Sequence, residues 1–441
     1  MADAEQIRLA PVMGKARIDV LDVLRGIAIL GIFFMNIPFE GARISKIFVD
    51  VTSIGWSPVD QASWYAVQVL LEGTQRGLLE MLFGAGMMVL AARGMEPDSP
   101  IAIADLYWRR NLWLLVFGLL DVFLVLWTGD ILHIYALAAL FLFPFRRLGP
   151  KLLVVLGALY MVYVAGSGGY QYVERVDLLH RVELVQQKQA AHAPLADSDR
   201  KTLEEWKKAV DRRHGGDEQK ALVAGEAAAH AGGYLPYAGW YIGAYFQFLF
   251  PQLVSSIAEA FCAMLIGVAL WKWRVIQGGR SRGFYLGLML ACYAIAVPLR
   301  FIAAQQNLAT MPTAQIGGIV YEFARLLMSL GHVGLINLLM LSAVGSAVLA
   351  PFKAAGRIAF SLYFLQQIVA LWILFAPWFG LGLWGNLSWS GLYTVVLAVL
   401  AAELVLANIW VRYFTNGPLE WIWRSLSYVR RQPFRRRLAV A

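Results

Sequence analysis

The stretch Trp127-Thr128-Gly129-Asp130-Ile131-Leu132-His133-Ile134-Tyr135 sets a carboxylate three residues before a histidine. Gly129 suits a tight turn, Asp130 suits the cap of a following helix, and His133 then stands one turn in on the same face. A carboxylate beside an imidazole fixes its tautomer and strengthens it as a general base. A capping aspartate with an incidental interfacial histidine gives the same pattern, so the pair alone leaves both readings open. Asp121 lies in the middle of the preceding apolar run. A second group opens the first apolar run: Asp22 and Arg25 are three apart, share a helix face and can pair. Asn36 follows Arg25 by eleven residues, close to three whole turns, so it lies on the same face about 16 Å further along. The stripe is either an ion pair plus an interhelical hydrogen bond or the lining of a substrate path. Glu322, Arg325 and His332 form a third group: Glu322 and Arg325, three apart, can pair as Asp22 and Arg25 can, and Arg325 and His332 are two turns apart on one face. Glu403 is isolated and calls for a buried partner such as an arginine, while Gln366 and Gln367 can tie helices together. Each ionisable group within such a run costs ~2.5–3.5 kcal/mol on insertion scales, which makes these residues the candidates for function.

The elements that position them are membrane helices. Of 441 residues, 59% are hydrophobic and 15% charged, against ~45–50% and ~25% in soluble domains. Ten apolar runs are long enough to span, at about 20–39, 74–92, 110–127, 129–145, 150–169, 251–271, 283–303, 324–349, 358–378 and 392–413. The stretches at 62–71 and 237–250 read as interfacial pieces. The 38 basic residues exceed the 29 acidic ones, but they cluster between apolar runs, as orientation signals do, rather than as a nucleic-acid surface. Lys15 and Arg17, Arg93, Arg109 and Arg110, Arg146, Arg147 and Lys151, Lys272 to Arg282, Lys353 and Arg357, and the tail from Arg424 to Arg437 all fall on one side. Both termini are therefore expected in the cytoplasm, and the fold class is an all-α polytopic membrane protein of the inner membrane.

The expected organisation is an N-terminal membrane half (1–170), a charged extracytoplasmic insert (171–233), a C-terminal membrane half (234–428) and a basic tail (429–441). Residues 202–212 of the insert read as an exposed helix, and its histidines 180, 192, 214 and 230 read as surface residues with no metal-ligand spacing. Cys262 and Cys292 lie in apolar runs and read as inert buried thiols. No cleavable signal peptide is visible. Phosphate-loop, dinucleotide, zinc-protease and Gly-x-Ser-x-Gly motifs are missing, which argues against ATP-driven transport by this chain alone.

The run Arg17-Ile-Asp19-Val-Leu-Asp22-Val-Leu-Arg25-Gly26 through Asn36 resembles the opening of the YeiB-like family of bacterial inner-membrane proteins. Trp127-Thr-Gly129-Asp130-Ile-Leu, followed by Tyr135, resembles that family's hairpin. Gly356-Arg357 through Gln366, and Arg412-Tyr413-Phe with Gly417-Pro418-Leu-Glu420-Trp421, resemble its last block, a domain of unknown function. More distantly, Arg25 through Asn36 is similar to the first helix of transmembrane acyltransferases. Those enzymes take an acyl group from cytoplasmic acyl-CoA and hand it to an acceptor across the membrane. That likeness implies acyl-CoA as donor substrate, no metal, an acceptor (sugar, lipid or small molecule) on the periplasmic side, and a cytoplasmic mouth furnished by Arg25, Arg109, Arg110, Arg357 and Trp108. The O-acylating members carry His where Asn36 stands, and some YeiB-like relatives carry His where Asp121 stands. The base is then expected at His133, with Asp130, or at His332. Asp22, Arg25, Asn36, Asp121, Tyr135 and Arg325 are the expected substrate-side residues. A secondary transporter or exporter of a small solute is the alternative, using the same intramembrane charges. The partners expected are the lipid bilayer, acyl-CoA and the acceptor, with a homodimer as one candidate assembly and no nucleic acid.

Overall fold

The computed structural model describes residues 18–91, 101–376, 378 and 380–436; the expected orientation charges Lys15, Arg17, Arg93 and Arg437 lie outside them. The described regular structure is helical, apart from one isolated bridge between Phe414 and Arg435. The described α-helices of eight or more residues are α1 (Asp19–Gly41), α2 (Pro58–Leu70), α3 (Thr74–Ala91), α4 (Ile101–Leu120), α5 (Leu132–Leu142), α6 (Pro150–Gly157), α7 (Leu159–Ala190), α8 (Asp197–His214) and α9 (Asp217–Ala231). They continue with α10 (Tyr234–Ala244), α11 (Leu253–Lys272), α12 (Arg282–Asn307), α13 (Gly317–Met340), α14 (Ala343–Arg357), α15 (Ala359–Gln367), α16 (Trp389–Tyr413) and α17 (Pro418–Ser427).

Among the described residues, six helical stretches are long and apolar enough to cross a bilayer: Asp19–Gly41, Pro150–Ala190, Tyr234–Lys272, Arg282–Asn307, Gly317–Met340 and Trp389–Tyr413. A pair bent by 76°, Ala343–Arg357 and Ala359–Leu374, makes a seventh. The remaining expected spans fall short of that measure for identifiable reasons. The α3 helix carries Arg76 and Glu80 because it is largely buried among other helices and need not satisfy lipid. The α4 helix carries Asp105, Arg109 and Arg110, and α5 has only 11 residues before it tightens into a 3₁₀ turn.

Three boundaries differ from the sequence expectation. The run expected at 324–349 is broken: α13 ends at Met340, and Ser342 caps α14 by accepting the Gly345 N–H at 3.0 Å. The bend at Ile358 then separates α14 from α15, so the span expected at 358–378 is the second arm of a broken helix. The aromatic stretch at 237–250 is continuous with the helix that follows it. It begins the 39-residue Tyr234–Lys272 stretch, which passes through a π-turn at Tyr245–Leu249. The other stretch, 62–71, lies in α2, which opens on a reciprocal capping box between Ser57 and Asp60 with Pro58 in its first turn.

The α1 helix is central and packs on α3, α14, α15 and α16. Its crossing with α14 depends on two glycines. A Cβ on Gly26 would strike the Phe352 carbonyl, and one on Gly356 would strike the Asp22 carbonyl. The backbones therefore approach as closely as small residues allow, the packing mode that membrane helices use in place of hydrophobic attraction. The crossing aligns Arg25 with the Gly356 carbonyl (3.5 Å) and Asp19 with Lys353 (2.5 Å).

The insert is helical throughout much of its length. The α7 helix runs unbroken out of the apolar run to Ala190, and 202–212 lies within α8, as expected. His230 corrects the expectation of surface histidines: it is 4% exposed, and its ring stacks on Trp384 at 3.5 Å. Its carbonyl accepts from Trp378 Nε1 at 3.2 Å. On the same helix, the Glu226 carboxylate accepts the N–H groups of Ile44 (3.1 Å) and Ser45 (3.2 Å), just past the C-terminal end of α1. Only tertiary packing distinguishes this histidine from exposed residues on the insert such as His180 and His192. These contacts fix the insert at the opposite end of α1 from Arg25 and Lys353.

Two predictions follow from this packing. Gly356→Leu will destabilise the protein by about 1–3 kcal/mol or more, since neither backbone can yield without moving a helix; thermal unfolding in detergent checks it. Burial pushes the His230 imidazole down to about 4, with Arg43 acting in the same direction. A depressed histidine favours the docked insert above its ordinary value near 6.5, and that contribution, up to about 3 kcal/mol, is lost as pH falls toward 4. Burial raises the neighbouring Glu226 carboxyl, which opposes this loss. Hydrogen exchange of α9 should therefore accelerate on acidification in wild type relative to a His230→Phe variant.

Candidate functional site

Two cavities lie back to back along α1. The first, about 240 Å³, takes Arg25 and Ile29 from the N-terminal half of α1; the second, about 300 Å³, takes Ile32, Met35, Asn36 and Phe39 from the C-terminal half. Ile131 and Tyr135 line both, so the Trp127–Tyr135 hairpin forms the wall between them.

The first cavity is apolar within and basic at its lining. Arg25, Arg110, Arg357 and Arg424 converge there from α1, α4, α14 and α17. Arg25 is held by Asp22 at 3.0 Å, the pairing expected from their spacing. Arg110 lies 4.4 Å over the Trp423 ring, whose Nε1 donates to the Arg110 carbonyl at 2.8 Å. Glu420 is the carboxylate of the lining, and it is occupied in accepting the Phe360 N–H at 2.7 Å and the Ser361 N–H at 3.2 Å. Three of the four expected donor-binding arginines and near-donor residues, Arg25, Arg110 and Arg357, thus meet in one cavity. Arg109 does not join them; it pairs with Asp105 at 2.8 Å and lies outside the lining. Trp108 is half exposed and donates to the Leu140 carbonyl.

The second cavity holds the Asp130–His133 pair. Asp130 Oδ2 accepts both the His133 backbone N–H (2.9 Å) and the His133 Nδ1–H (2.8 Å). The capping role and the orienting role left open by the sequence are therefore both filled by one oxygen. Asp130 Oδ1 accepts the Tyr363 hydroxyl at 3.1 Å, and Tyr363 also receives Trp127 Nε1 at 3.2 Å. This fixes the tautomer with Nε2 directed away from Asp130, toward the Tyr245 hydroxyl at 3.3 Å. Asn36 and Tyr135 line the same cavity, with the Tyr135 hydroxyl donating to the Arg76 carbonyl at 3.0 Å.

Beside this cavity lies a buried ionic network. Arg325 donates to Glu322 twice at 2.8 Å and to Glu80 at 2.9 Å, and pairs with Glu259 at 3.0 Å; Arg76 pairs with Glu259 at 2.5 Å. Glu80, Glu259 and Arg76 face the cavity, while Arg325 stands behind them. The Glu322–Arg325 pair was legible from spacing, but Arg76, Glu80, Glu259, Tyr245 and Tyr363 were not. Their partners come from helices far away in sequence.

Three further expected residues also lie outside both linings. His332 sits between α12 and α13, bonded to Tyr293 (3.2 Å) and the Met328 carbonyl (2.9 Å), and lines neither cavity. Asp121 is fully buried at the π-turn after α4, next to Asp130. Glu403 is paired with Gln366 Nε2 at 2.8 Å, not with an arginine.

The fold and cavities define a multi-pass all-α membrane protein. Residues 270–430 match the family described as "Protein of unknown function (DUF418)". The chain is 28% identical over 455 residues to the uncharacterized protein YxaH of Bacillus subtilis (strain 168), covering 98% of this chain and 99% of that one. It is 26% identical over 414 residues to the uncharacterized protein YeiB of Escherichia coli (strain K12), covering 92% and 95%. These findings support the YeiB-like resemblance read from the motifs. The names of these relatives state no activity, and no solved structure matches the chain.

The network and the cavity rim should separate on mutation. Removing Arg325 leaves buried carboxylates without their cation, so Arg325→Met will cost about 3–5 kcal/mol. Arg109 is only partly buried and its partner Asp105 is exposed, so Arg109→Ala will stay within about 0.5 kcal/mol. Paired melting curves in detergent check both.

Proposed function

We propose that the chain is a membrane-embedded acyltransferase that takes an acyl group from cytoplasmic acyl-CoA and delivers it to an acceptor on the periplasmic side. The observation that carries this reading is the pair of cavities separated by one hairpin. One is lined by four arginines suited to the phosphates of a coenzyme A ester, and the other holds an oriented Asp–His pair. In this reading the inner bacterial membrane is crossed about ten times. The arginine-rich ends face the cytoplasm, as the positive-inside rule requires, and the insert faces outward.

Arg25, Arg110, Arg357 and Arg424 hold the donor's phosphates, with the acyl thioester extended toward Ile131 and Tyr135. The acceptor's hydroxyl or amine attacks the thioester carbonyl as its proton passes to His133 Nε2. A C–O or C–N bond forms, the C–S bond breaks, and the departing thiolate takes up that proton. Asp130 stabilises the imidazolium in between. Asn36, in the same cavity, is a candidate donor to the developing oxyanion. A second reading, secondary transport, draws support from the two-arginine, three-glutamate network, since buried charges of this kind mark proton and ion pathways.

Acyl-CoA should raise the melting temperature of the purified protein, in proportion to the logarithm of its concentration over Kd. The shift will be lost in Arg25→Ala and Arg357→Ala and kept in Arg109→Ala. His133→Ala should retain the shift but lose acyl transfer by about 10²-fold or more, while His332→Ala retains both. No shift with any acyl-CoA, from folded protein, would turn the assignment to transport.

A further inference from the structure

A third chamber, about 540 Å³, adjoins the Asp–His cavity and shares Met35, Phe39 and Glu72 with it. It lies at the insert's end of α1, between α2, α12 and α13, and Arg213 of the insert helix α8 reaches its rim. Two features describe what it could hold. The greater part of its wall is apolar, including Ile47, Phe48, Trp64, Val320 and Trp389. Phe39 and Phe48 remain substantially exposed at 45% and 68%, so the apolar surface continues outward from the chamber. The charged groups of the lining are two guanidinium groups against one carboxylate.

The cations are held by backbone carbonyls. Arg213 donates to the carbonyls of Asn307 (2.5 Å) and Ala309 (2.9 Å). Arg300 donates to the carbonyls of Gln68 and Val69 at 2.6 Å each, at the C-terminal end of α2, and to that of Glu72 at 2.5 Å. Its contact with the Glu72 carboxylate is longer, 3.5 Å, and Glu72 also accepts the Tyr321 hydroxyl at 3.2 Å. Carbonyl dipoles fix both guanidiniums in place without cancelling their charge. The chamber is therefore net positive as well as apolar, complementary to a molecule with a hydrocarbon chain and an anionic head.

We propose that this chamber binds an anionic phospholipid bearing hydroxyls on its head, drawn from the leaflet on the insert's side, as the acyl acceptor. The chain lies along Trp64, Val320 and Trp389, the phosphate sits near Arg213 and Arg300, and the head hydroxyl reaches past Met35 and Phe39 to His133. The assignment of an acceptor rests on the acyltransferase reading; the binding of the lipid does not.

The test uses the full chain in phosphatidylcholine nanodiscs doped with phosphatidylglycerol carrying a diazirine in its acyl chain. Irradiation should label Met35, Phe39 or Val320 above the level at the lipid-facing α12 residues Leu286 and Leu290. Unlabelled phosphatidylglycerol should compete, and glycerol 3-phosphate should not. Arg213→Gln should cut the chamber labelling about tenfold, the equivalent of one charge-assisted hydrogen bond. Ala303→Trp and Val320→Trp should abolish it by filling the space, with melting temperature confirming the fold of each. Labelling no higher than at α12, or unchanged in all three folded variants, would overturn the proposal. Competition by glycerol 3-phosphate equal to that of the lipid would overturn it in favour of a soluble anion. Labelling needs no acyl donor, so its failure leaves the acyl-CoA result standing, and the reverse also holds.

Discussion

The Asp130 carboxylate ties the hairpin between the two cavities to the C-terminal half of the chain. One oxygen caps α5 and orients the His133 ring, and the other takes the Tyr363 hydroxyl from α15, more than two hundred residues away. In a low-dielectric interior a carboxylate must be met by donors or it is costly to bury. Three donors on one acid therefore lock the hairpin to the C-terminal half of the chain. Because the hairpin is the wall between the arginine cavity and the Asp–His cavity, the same bonds that stabilise it also set what can pass between them.

The close crossing of α1 with α14 sets the other side of that geometry. It places Arg25 beside the start of the 356–366 block, so that residues near the two ends of the chain share a cavity. A longer interhelical distance would open the arginine group and separate the phosphate-binding candidates. The glycines are thus part of the site's construction although they carry no chemistry of their own.

Much of the site was legible wherever a local period governed it. Asp22 with Arg25, Glu322 with Arg325, and Asp130 with His133 were paired correctly because three-residue spacing on a helix dictates the neighbour. The eleven-residue step from Arg25 to Asn36 proved to be the step from one cavity to the next. What escaped was long-range. Glu259, Arg76 and Glu80 lie on helices that meet only in the fold, and Tyr363 looks like any aromatic in an apolar run. The helix boundaries at Ser342 and Ile358 escaped for a related reason: hydropathy averages over a break that a single capping hydroxyl decides. His230 was misplaced because burial under Trp384 leaves no trace in the composition around it.

The arrangement also bears on how a group-transfer reaction could be made directional. A continuous pore through α1, α3 and the hairpin would let water and ions cross with the substrates. Here the polar linings stop on either side of Ile131 and Tyr135, and the Tyr135 hydroxyl is engaged with the Arg76 carbonyl. A thin wall of this kind suits a reactant whose transferable part is small and whose remainder stays behind. In the proposed reaction an acyl group on a phosphate-bearing carrier has that form, with the arginines retaining the carrier and only the acyl end reaching the wall. A solute moved whole would need the wall itself to shift, and the bonds converging on Asp130 oppose such a movement. On the proposed acyl-transfer reading, the bonds converging on Asp130 hold the partition fixed while only the acyl end reaches it.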